Sequence, residues 1–244
     1  DTNSEPEEFT TEDDIQLPNS GFEDWYTDSN GLPKPAKNAS SSFWDCGNVS
    51  YFGQHIMTTQ NNETALGQGS SVKMETQETM KIIAAGNIFT GTFERDGMGG
   101  ILTLGRTFEC RPNKLKGYYK YTSAKVSVSK GHLEEGEDDL CSLYIALTDE
   151  QITVNTNEKI YFDPNSSAVI AYGSISDEES KGADSFKEFT VDLEYKDLKR
   201  IPKYIIVVAS SSKYGDYMEG GKGSTMWLDD LELVYPGSME EVKK

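Results

Sequence analysis

Hydrophobic and polar residues alternate with a period of two along several short segments of the chain. In residues 141–148 the odd positions hold Cys, Leu, Ile and Leu, and the even positions hold Ser, Tyr, Ala and Thr. Residues 189–195 alternate in the same way, whereas residues 204–210 form a continuous apolar run, which is typical of a strand covered on both faces. All three segments are predicted to be β-strands.

Further short segments rich in β-branched and aromatic residues complete the predicted strands: 71–76, 87–93, 118–129, 168–174 and 226–235. No segment of about 12 residues or more has the 3.6-residue period of an amphipathic helix. Many short strands between Gly-, Ser- and Asn-rich turns indicate two packed sheets. The sequence therefore predicts an all-β fold, an antiparallel sandwich or barrel.

The charge of the chain excludes several classes of partner. Its 41 acidic and 23 basic residues give a formal net charge of −18, which repels nucleic acids and anionic membrane surfaces. No run of 18 apolar residues is present, so no transmembrane helix is predicted. Thirteen Tyr, ten Phe and three Trp residues argue against disorder.

Polar ends flank the predicted sandwich. Residues 1–14 carry seven acidic residues and no basic one, which is typical of a solvated tail or a linker. Residues 237–244 are expected to form a second short tail, and residues 15–236 a single domain. No signal peptide begins the sequence, so for an exported protein we expect a signal that is removed or lies outside this sequence.

Few residues are present for metal or thiol chemistry. Cys46, Cys110 and Cys141 contain no CxxC pair. They are interpreted as three buried thiols, or alternatively as one disulfide and one thiol. His55 and His132 are the only histidines, which leaves little material for a His-dependent triad or a multi-histidine metal centre.

Five motifs, in order, resemble a known family: NSGFEDW within 17–25, FWDCGN within 42–48, RPNKLKGYYKY at 111–121, residues 204–224, and WLDDLEL at 227–233. The opening and closing motifs are similar to those of galactose-binding-like jelly rolls among carbohydrate-binding modules. The whole set resembles the putative carbohydrate metabolism domain (PCMD) of surface lipoproteins from gut anaerobes, from about residue 17 to residue 235. The resemblance implies a jelly-roll sandwich, a role in glycan handling, and an exported protein of the bacterial cell surface or periplasm. It also implies a lipid anchor on a segment outside this sequence.

The same resemblance implies a structural calcium ion near the two ends of the sandwich. Its candidate ligands are Glu23, Asp229 and Asp230, because the first and last strands are neighbours in such modules and calcium binds carboxylate and carbonyl oxygens. The alternative is that these acids are exposed or bond to backbone amides.

Two loops combine aromatic and polar residues as a sugar site requires. The loop at 43–55 supplies Trp44, Asp45 and Tyr51, and the loop at 212–224 supplies Tyr214, Asp216, Tyr217 and Lys222. Core packing is the competing interpretation, and it is the favoured one for Trp44 because a sandwich of this size needs large apolar residues. The Gly-rich stretch 220–224 does not match a phosphate-binding loop.

These observations favour a non-catalytic glycan-binding module of a bacterial surface lipoprotein, with an oligosaccharide or polysaccharide as ligand. A structural or adhesive domain that contacts other surface proteins is the first alternative. A glycoside hydrolase is the second, since no pair of carboxylates stands out among the many acids. No catalytic residue is assigned.

Overall fold

The structure, a computed structural model, describes residues 15–236, which form twenty β-strands and three short 3-10 helices. The strands are β1 (Tyr26–Thr27), β2 (Pro33–Lys34), β3 (Trp44–Asp45), β4 (Val49–Ser50), β5 (Gln54–His55), β6 (Thr58–Asn61), β7 (Ser71–Glu75), β8 (Gln77–Thr79), β9 (Ile82–Ala84), β10 (Asn87–Asp96), β11 (Gly99–Leu104), β12 (Arg106–Thr107), β13 (Lys114–Thr122), β14 (Ser142–Thr148), β15 (Ile152–Asn155), β16 (Val169–Ser174), β17 (Ala183–Asp192), β18 (Glu194–Tyr195), β19 (Tyr204–Ser210) and β20 (Thr225–Val234). The 3-10 helices are Ala39–Ser41, Glu179–Lys181 and Gly215–Tyr217. The predicted tails, 1–14 and 237–244, lie outside the described residues.

Two antiparallel sheets form the body of the described region. The larger sheet has the strand order β15-β11-β10-β19-β14-β16-β18, with β3 paired to β10 and β12 paired to β19. The smaller sheet has the order β17-β13-β20-β7-β6. The hairpins β1-β2, β4-β5 and β8-β9 stand outside both sheets. The predicted all-β jelly-roll sandwich is confirmed, and no helix of the described part could cross a membrane.

The main core lies between the two sheets, as the period-two pattern predicts. Leu143 and Ile145 of β14 are at most 1% exposed and belong to one cluster with Val72 and Leu228 of the smaller sheet. The buried thiols of Cys46 and Cys141 agree with the interpretation of these cysteines as small apolar residues. Each fully buried aliphatic side chain contributes about 1.5–3 kcal/mol, so this core supplies much of the stability.

The opposite face of the larger sheet is also apolar. Ala146 of β14 and Ile206 of β19 belong to a second cluster that includes Leu102. The continuous run 204–210 therefore has buried residues on both faces, as predicted. The ring of Phe162 stacks on Tyr144 with a centroid distance of 4.8 Å and covers part of this face.

The N-terminal segment runs beside the last strand. The side chain of Gln16 exchanges two hydrogen bonds with the backbone of Leu233, and the amide of Leu231 donates to the carbonyl of Ser20 at 3.0 Å. The two ends of the sandwich therefore meet, as the family resemblance implies.

Candidate functional site

A cleft of about 490 Å³ opens next to the second apolar cluster. Three hairpin tips and one turn surround it: β4-β5, β8-β9, β10-β11 and the short helix Gly215–Tyr217. Its volume falls in the range of about 300–1,000 Å³ that is usual for small-molecule sites. Tyr51 from the loop at 43–55 and Asp216 from the loop at 212–224 both line it. The two loops that the sequence singled out therefore meet at one cavity.

Large apolar side chains stand at the rim of the cleft, one on each hairpin tip. Phe52 is 93% exposed, Met80 83% and Met98 57%. Tyr51 packs beside Phe52 with ring centroids 4.4 Å apart, and the guanidinium of Arg95 lies 4.0 Å from the centre of the Tyr51 ring. This cation–π contact packs Arg95 against the Tyr51 ring, and the rings of Tyr51 and Phe52 together form an aromatic surface at the rim.

The backbone at two of these tips is strained. Phe52 has φ 50°, and Met80 and Lys81, the two central residues of the β8-β9 turn, have φ 51° and 64°. Two-residue hairpins of this kind favour Asn-Gly, because most side chains crowd the backbone at positive φ. Each such residue costs about 1 kcal/mol or more, and strain of this kind is concentrated at functional sites.

The interior of the cleft is mainly aliphatic. Ile82, Ile83 and Ala84 of β9 contribute to the lining, and Met57 and Met218 add flexible thioethers. Polar side chains are few among its lining residues: His55, Gln77, Thr79, Asn87, Arg95, Thr156 and Asp216. Asn87 already accepts a hydrogen bond from the amide of Gly47 at 2.8 Å, and Gln77 donates to the carbonyl of Ile56 at 2.8 Å.

Asp216 lies where the cleft meets a second, smaller cavity of about 50 Å³. This smaller cavity is more polar, since Ser142, Ser210 and Lys213 also line it. Desolvation raises the pKa of Asp216 to about 6. No hydrogen bond or ion pair to this carboxylate is present among residues 15–236. Asp216 is therefore a half-buried acceptor that can bind the hydroxyl or ammonium group of a ligand.

Two buried acids hold the loop that carries Asp216. Asp139 accepts hydrogen bonds from Ser212 Oγ at 2.6 Å and from the amide of Gly221 at 2.8 Å. Glu219 accepts from the amide of Leu133 at 2.6 Å and from Nδ1 of His132 at 2.9 Å. Burial alone would raise the pKa of Glu219, but these hydrogen bonds outweigh it and lower that pKa.

Tyr214 and Tyr217 belong to a stack of rings beside the cleft. The ring of Tyr214 stacks on His132 at 4.3 Å, and Tyr217 packs on His132 at 4.3 Å and on Tyr161 at 3.9 Å. Both tyrosines are half-buried by these contacts. Lys222 is exposed, but it is not among the residues that line the cleft. Of the candidate sugar contacts, Tyr51 and Asp216 therefore line the same cavity. Tyr214, Tyr217 and Lys222 are not part of its lining.

Trp44 and Asp45 are structural residues. Core packing, the interpretation favoured for Trp44, is confirmed, and the candidate role of both residues in a sugar site requires correction. Trp44 is 0% exposed, and its indole nitrogen donates to the carbonyl of Pro18 at 2.7 Å, so no ring face is open to a ligand. Asp45 forms a partly buried ion pair with Lys34 at 2.7 Å and accepts from the amide of Phe93 at 2.8 Å. These contacts join β3 to the N-terminal segment, to β2 and to β10.

The three candidate calcium ligands lie on one side of the molecule. A Cβ atom added to Gly21 would lie 3.3 Å from Asp230 Oδ1 and 3.6 Å from Glu23 Oε1, so two carboxylates flank the same small space. Asp229 is buried and accepts a hydrogen bond from the amide of Ala65 at 2.8 Å. Desolvation raises the pKa of Asp229 to about 6, with smaller contributions from Asp230 and Glu23.

Two carboxylates supply only some of the oxygen ligands that a calcium ion takes. In the described part of the chain, no group of three or more His, Cys, Asp or Glu side chains is arranged to hold a metal ion. The remaining oxygens around a calcium ion at this place would have to come from backbone carbonyls. Calcium therefore stays a prediction.

The family model of the putative carbohydrate metabolism domain matches residues 18–234. The chain belongs to this family. No curated protein matches it. Among solved structures it is similar to a protein of Bacteroides thetaiotaomicron described as a putative glycoside hydrolase, with 23% identity, a TM-score of 0.68, and coverage of 90% of this chain and 71% of the other. A second protein, from Bacteroides vulgatus and described in the same words, has 20% identity, a TM-score of 0.64, and coverage of 90% and 97%. At this identity both likenesses show the fold.

Sequence reasoning missed most of the cleft walls. Met80, Ile82 and Ile83 carry no hairpin signal, because the turn lacks Asn, Asp or Gly at its two central positions. Met98 stands in a Gly-rich stretch that indicates only a turn. The signals that the sequence does contain are the aromatic pair Tyr51 and Phe52 in the loop at 43–55 and the mixed aromatic and polar loop at 212–224.

Proposed function

We propose that this domain is a non-catalytic glycan-binding module of a bacterial cell-surface lipoprotein, and that the cleft binds the sugar. One observation carries the proposal: the two loops with the aromatic and polar residues of a sugar site line a single cavity that has an exposed aromatic rim. The ring of Tyr51 can pack on the C–H face of a pyranose, and Asp216 can accept bonds from its hydroxyls.

The family supports a role in carbohydrate metabolism. Of the two roles that the family leaves open, binding is favoured over hydrolysis by the acids in the cleft. A glycoside hydrolase places two carboxyl groups on either side of the bond, about 5–5.5 Å or 6.5–9.5 Å apart. Asp216 is the one acidic residue lining the cleft within residues 15–236.

The cellular location is part of the proposal and rests on the resemblance to surface lipoproteins. An exported domain that binds polysaccharide would keep the polysaccharide near the enzymes that degrade it. Labelling of intact cells with an antibody to this domain tests the location, and labelling only after lysis would contradict it.

A glycan array tests the binding function. Wild-type protein should bind a subset of neutral glycans, and the double variant Tyr51→Ala, Phe52→Ala should lose that signal. Leu66→Ala is the matched control, because Leu66 is 59% exposed but does not line the cleft. A blank array with folded wild-type protein would contradict the proposal, and release of reducing sugar from a bound glycan would replace binding with hydrolysis.

A contact with another surface protein is the second candidate. It is favoured by the exposed apolar side chains of Phe52, Met80 and Met98, since such groups often mark interaction sites. In that case the array stays blank and an apolar peptide binds in the cleft.

A further inference from the structure

The walls of the cleft suit a more specific ligand than an unsubstituted sugar. The β9 wall of the cleft is lined by Ile82, Ile83 and Ala84, whose side chains are all aliphatic. A sugar ring carries hydroxyl groups around its edge, and each hydroxyl buried without a partner costs about 1–3 kcal/mol. An unsubstituted saccharide would leave several hydroxyls facing this wall, whereas an apolar substituent would bury no polar group there.

We propose that the cleft binds a saccharide that carries a neutral aromatic substituent, through either a glycosidic or an ester bond. The aromatic group would lie against the β9 wall, and the sugar would reach Asp216 and Asn87 at the more polar end. This inference rests on the proposed glycan-binding function and names the class of ligand.

Sulfur atoms favour an aromatic group over an aliphatic one. Of the six methionines within residues 15–236, four line the cleft, namely Met57, Met80, Met98 and Met218. Thioethers make favourable contacts with ring edges, and their flexible side chains adapt to rings of different shape. Phe52 and Phe93 add two further rings to the lining. The apolar lining is thus rich in the side chains that contact aromatic ligands well.

The end of the cleft at Asp216 and Asn87 is more polar than the β9 wall. Asp216 and Asn87 line both the cleft and the small cavity, which also contains Ser142 and Ser210. A cavity of about 50 Å³ holds a hydroxymethyl group or water but not a sugar ring. The sugar would therefore lie at the junction, with one hydroxyl or hydroxymethyl group directed towards Asp216.

Charge restricts the substituent further. The protein has a formal net charge of −18, and Arg95, the one Arg or Lys lining the cleft in the described region, already lies over the ring of Tyr51. An anionic substituent against the β9 wall would meet the negative potential of the acidic protein, and no second cation among the residues lining the cleft would neutralise it. A neutral aryl or aroyl group has no such penalty.

Calorimetric titration of the intact chain with matched glycosides tests the inference. The probes are the methyl, cyclohexyl and phenyl β-glycosides of glucose, galactose, xylose and mannose, together with the 6-O-benzoyl esters of the methyl hexosides. For at least one sugar, the phenyl glycoside or the benzoyl ester should bind on the order of tenfold to a hundredfold tighter than the methyl glycoside. The cyclohexyl glycoside should lie between the two, because it supplies area without an aromatic ring. The glycoside and the ester reveal which linkage the cleft accepts.

Two variants locate the bound group. Ala84→Phe fills space beside the β9 wall and should abolish the affinity advantage of the phenyl glycoside over the methyl glycoside. Met80→Ser should weaken phenyl glycoside binding by about three- to tenfold. Leu66→Ser and Ile201→Ser are matched controls, since both residues are well exposed and lie outside the cleft lining. A Met80→Ser protein with an unchanged melting temperature shows that the fold is intact.

Each outcome decides a different point. Equal affinity for methyl and phenyl glycosides overturns the aromatic inference and leaves glycan binding standing. Binding of phenol as tight as that of the phenyl glycosides overturns sugar recognition in the cleft. No binding of any probe, with a blank glycan array and binding of an apolar peptide, overturns both proposals in favour of a protein partner.

Discussion

Asp139 Oδ2 accepts a hydrogen bond of 2.6 Å from Ser212 Oγ, and this contact ties the loop that carries Asp216 to the segment before β14. The same oxygen accepts from the amide of Gly221 at 2.8 Å. Asp139 is 0% exposed, and desolvation raises its pKa even though several hydrogen bonds favour its charge. The geometry of the cleft thus depends on an acid that does not line it.

Replacing Asp139 by Ala should lower the free energy of unfolding by about 3 kcal/mol or more, because it leaves several buried donors without an acceptor. Urea titration measures the loss. Asp138→Ala is the control: its carboxylate is 70% exposed and bonds only to an exposed Lys125, so we expect a change within about 0.5 kcal/mol. Equal effects of the two substitutions would contradict the role of Asp139.

Met80 and Lys81 provide a test that separates stability from binding. Lys81→Gly should raise the free energy of unfolding by about 1 kcal/mol, because Gly tolerates φ 64° without strain. Binding should not change, since Lys81 does not line the cleft. Met80→Gly should stabilise the turn by a similar amount but weaken binding. Chemical denaturation and glycan titration of both variants distinguish the two effects, and equal loss of binding would exclude a specific role for Met80.

The ring of Tyr51 should contribute directly to binding. Tyr51→Ala and Phe52→Ala should each weaken glycan binding by about 1–2 kcal/mol without changing the fold, as is common for anchor residues of an interface. Tyr214→Ala and Tyr217→Ala should instead lower the melting temperature, because both rings pack in the stack around His132. Calorimetry and thermal melts on the four variants test this division. Loss of binding at normal stability in Tyr214→Ala would contradict it.

Protonation of Asp229 should make the protein more stable in mild acid. Because burial raises its folded pKa from 3.8 to about 6, the folded state binds more protons than the unfolded state between these values. The resulting stability is complete below pH 3.8 and is lost as the pH rises through about 6, by roughly 1–3 kcal/mol. Asp229→Asn should remove this loss in melts at pH 4 to 7 without calcium, and Asp184→Asn on the surface should not. A pH profile of Asp229→Asn identical to that of the wild type would be the contrary result.

Calcium bound by the neighbouring acids should raise the stability of the folded state. If Glu23 and Asp230 hold the ion, EDTA should lower the melting temperature and calcium should restore it. The gain is about 2.7 kcal/mol at a hundredfold excess over Kd. Glu23→Gln and Asp230→Asn should each blunt the response, while Asp184→Asn should leave it intact. Melting curves that coincide with and without chelator would exclude the site.

The sequence predicts the sandwich because its strands bury alternate residues, and that pattern is local. β14 and β19 illustrate this, since the alternate residues Leu143, Ile145 and Leu147 of β14 all face the main core, and the continuous apolar run of β19 is buried on both faces. The two loops with candidate sugar contacts were also recognisable from composition. Their meeting at one cleft was not, because it depends on the pairing of β10 with β11 and β19.

The errors have physical causes as well. Trp44 belongs to a strand of two residues, which is too short for a period to show which face is buried. The β8-β9 hairpin escaped prediction because Met80 and Lys81 adopt positive φ without Gly or Asn. Backbone strain of this kind cannot be predicted from residue composition. In this protein it occurs at the rim of the proposed site.

The most direct test of the cleft as a glycan site is an NMR titration of protein labelled with methyl-13C methionine, using a glycan that binds on the array. We predict that the signals of Met57, Met80, Met98 and Met218 shift with a common dissociation constant, because all four line the cleft. The signals of Met74 and Met226, which are 0% exposed in the core between the sheets, should stay in place. Saturable binding that leaves all four cleft methionines unchanged would contradict the account.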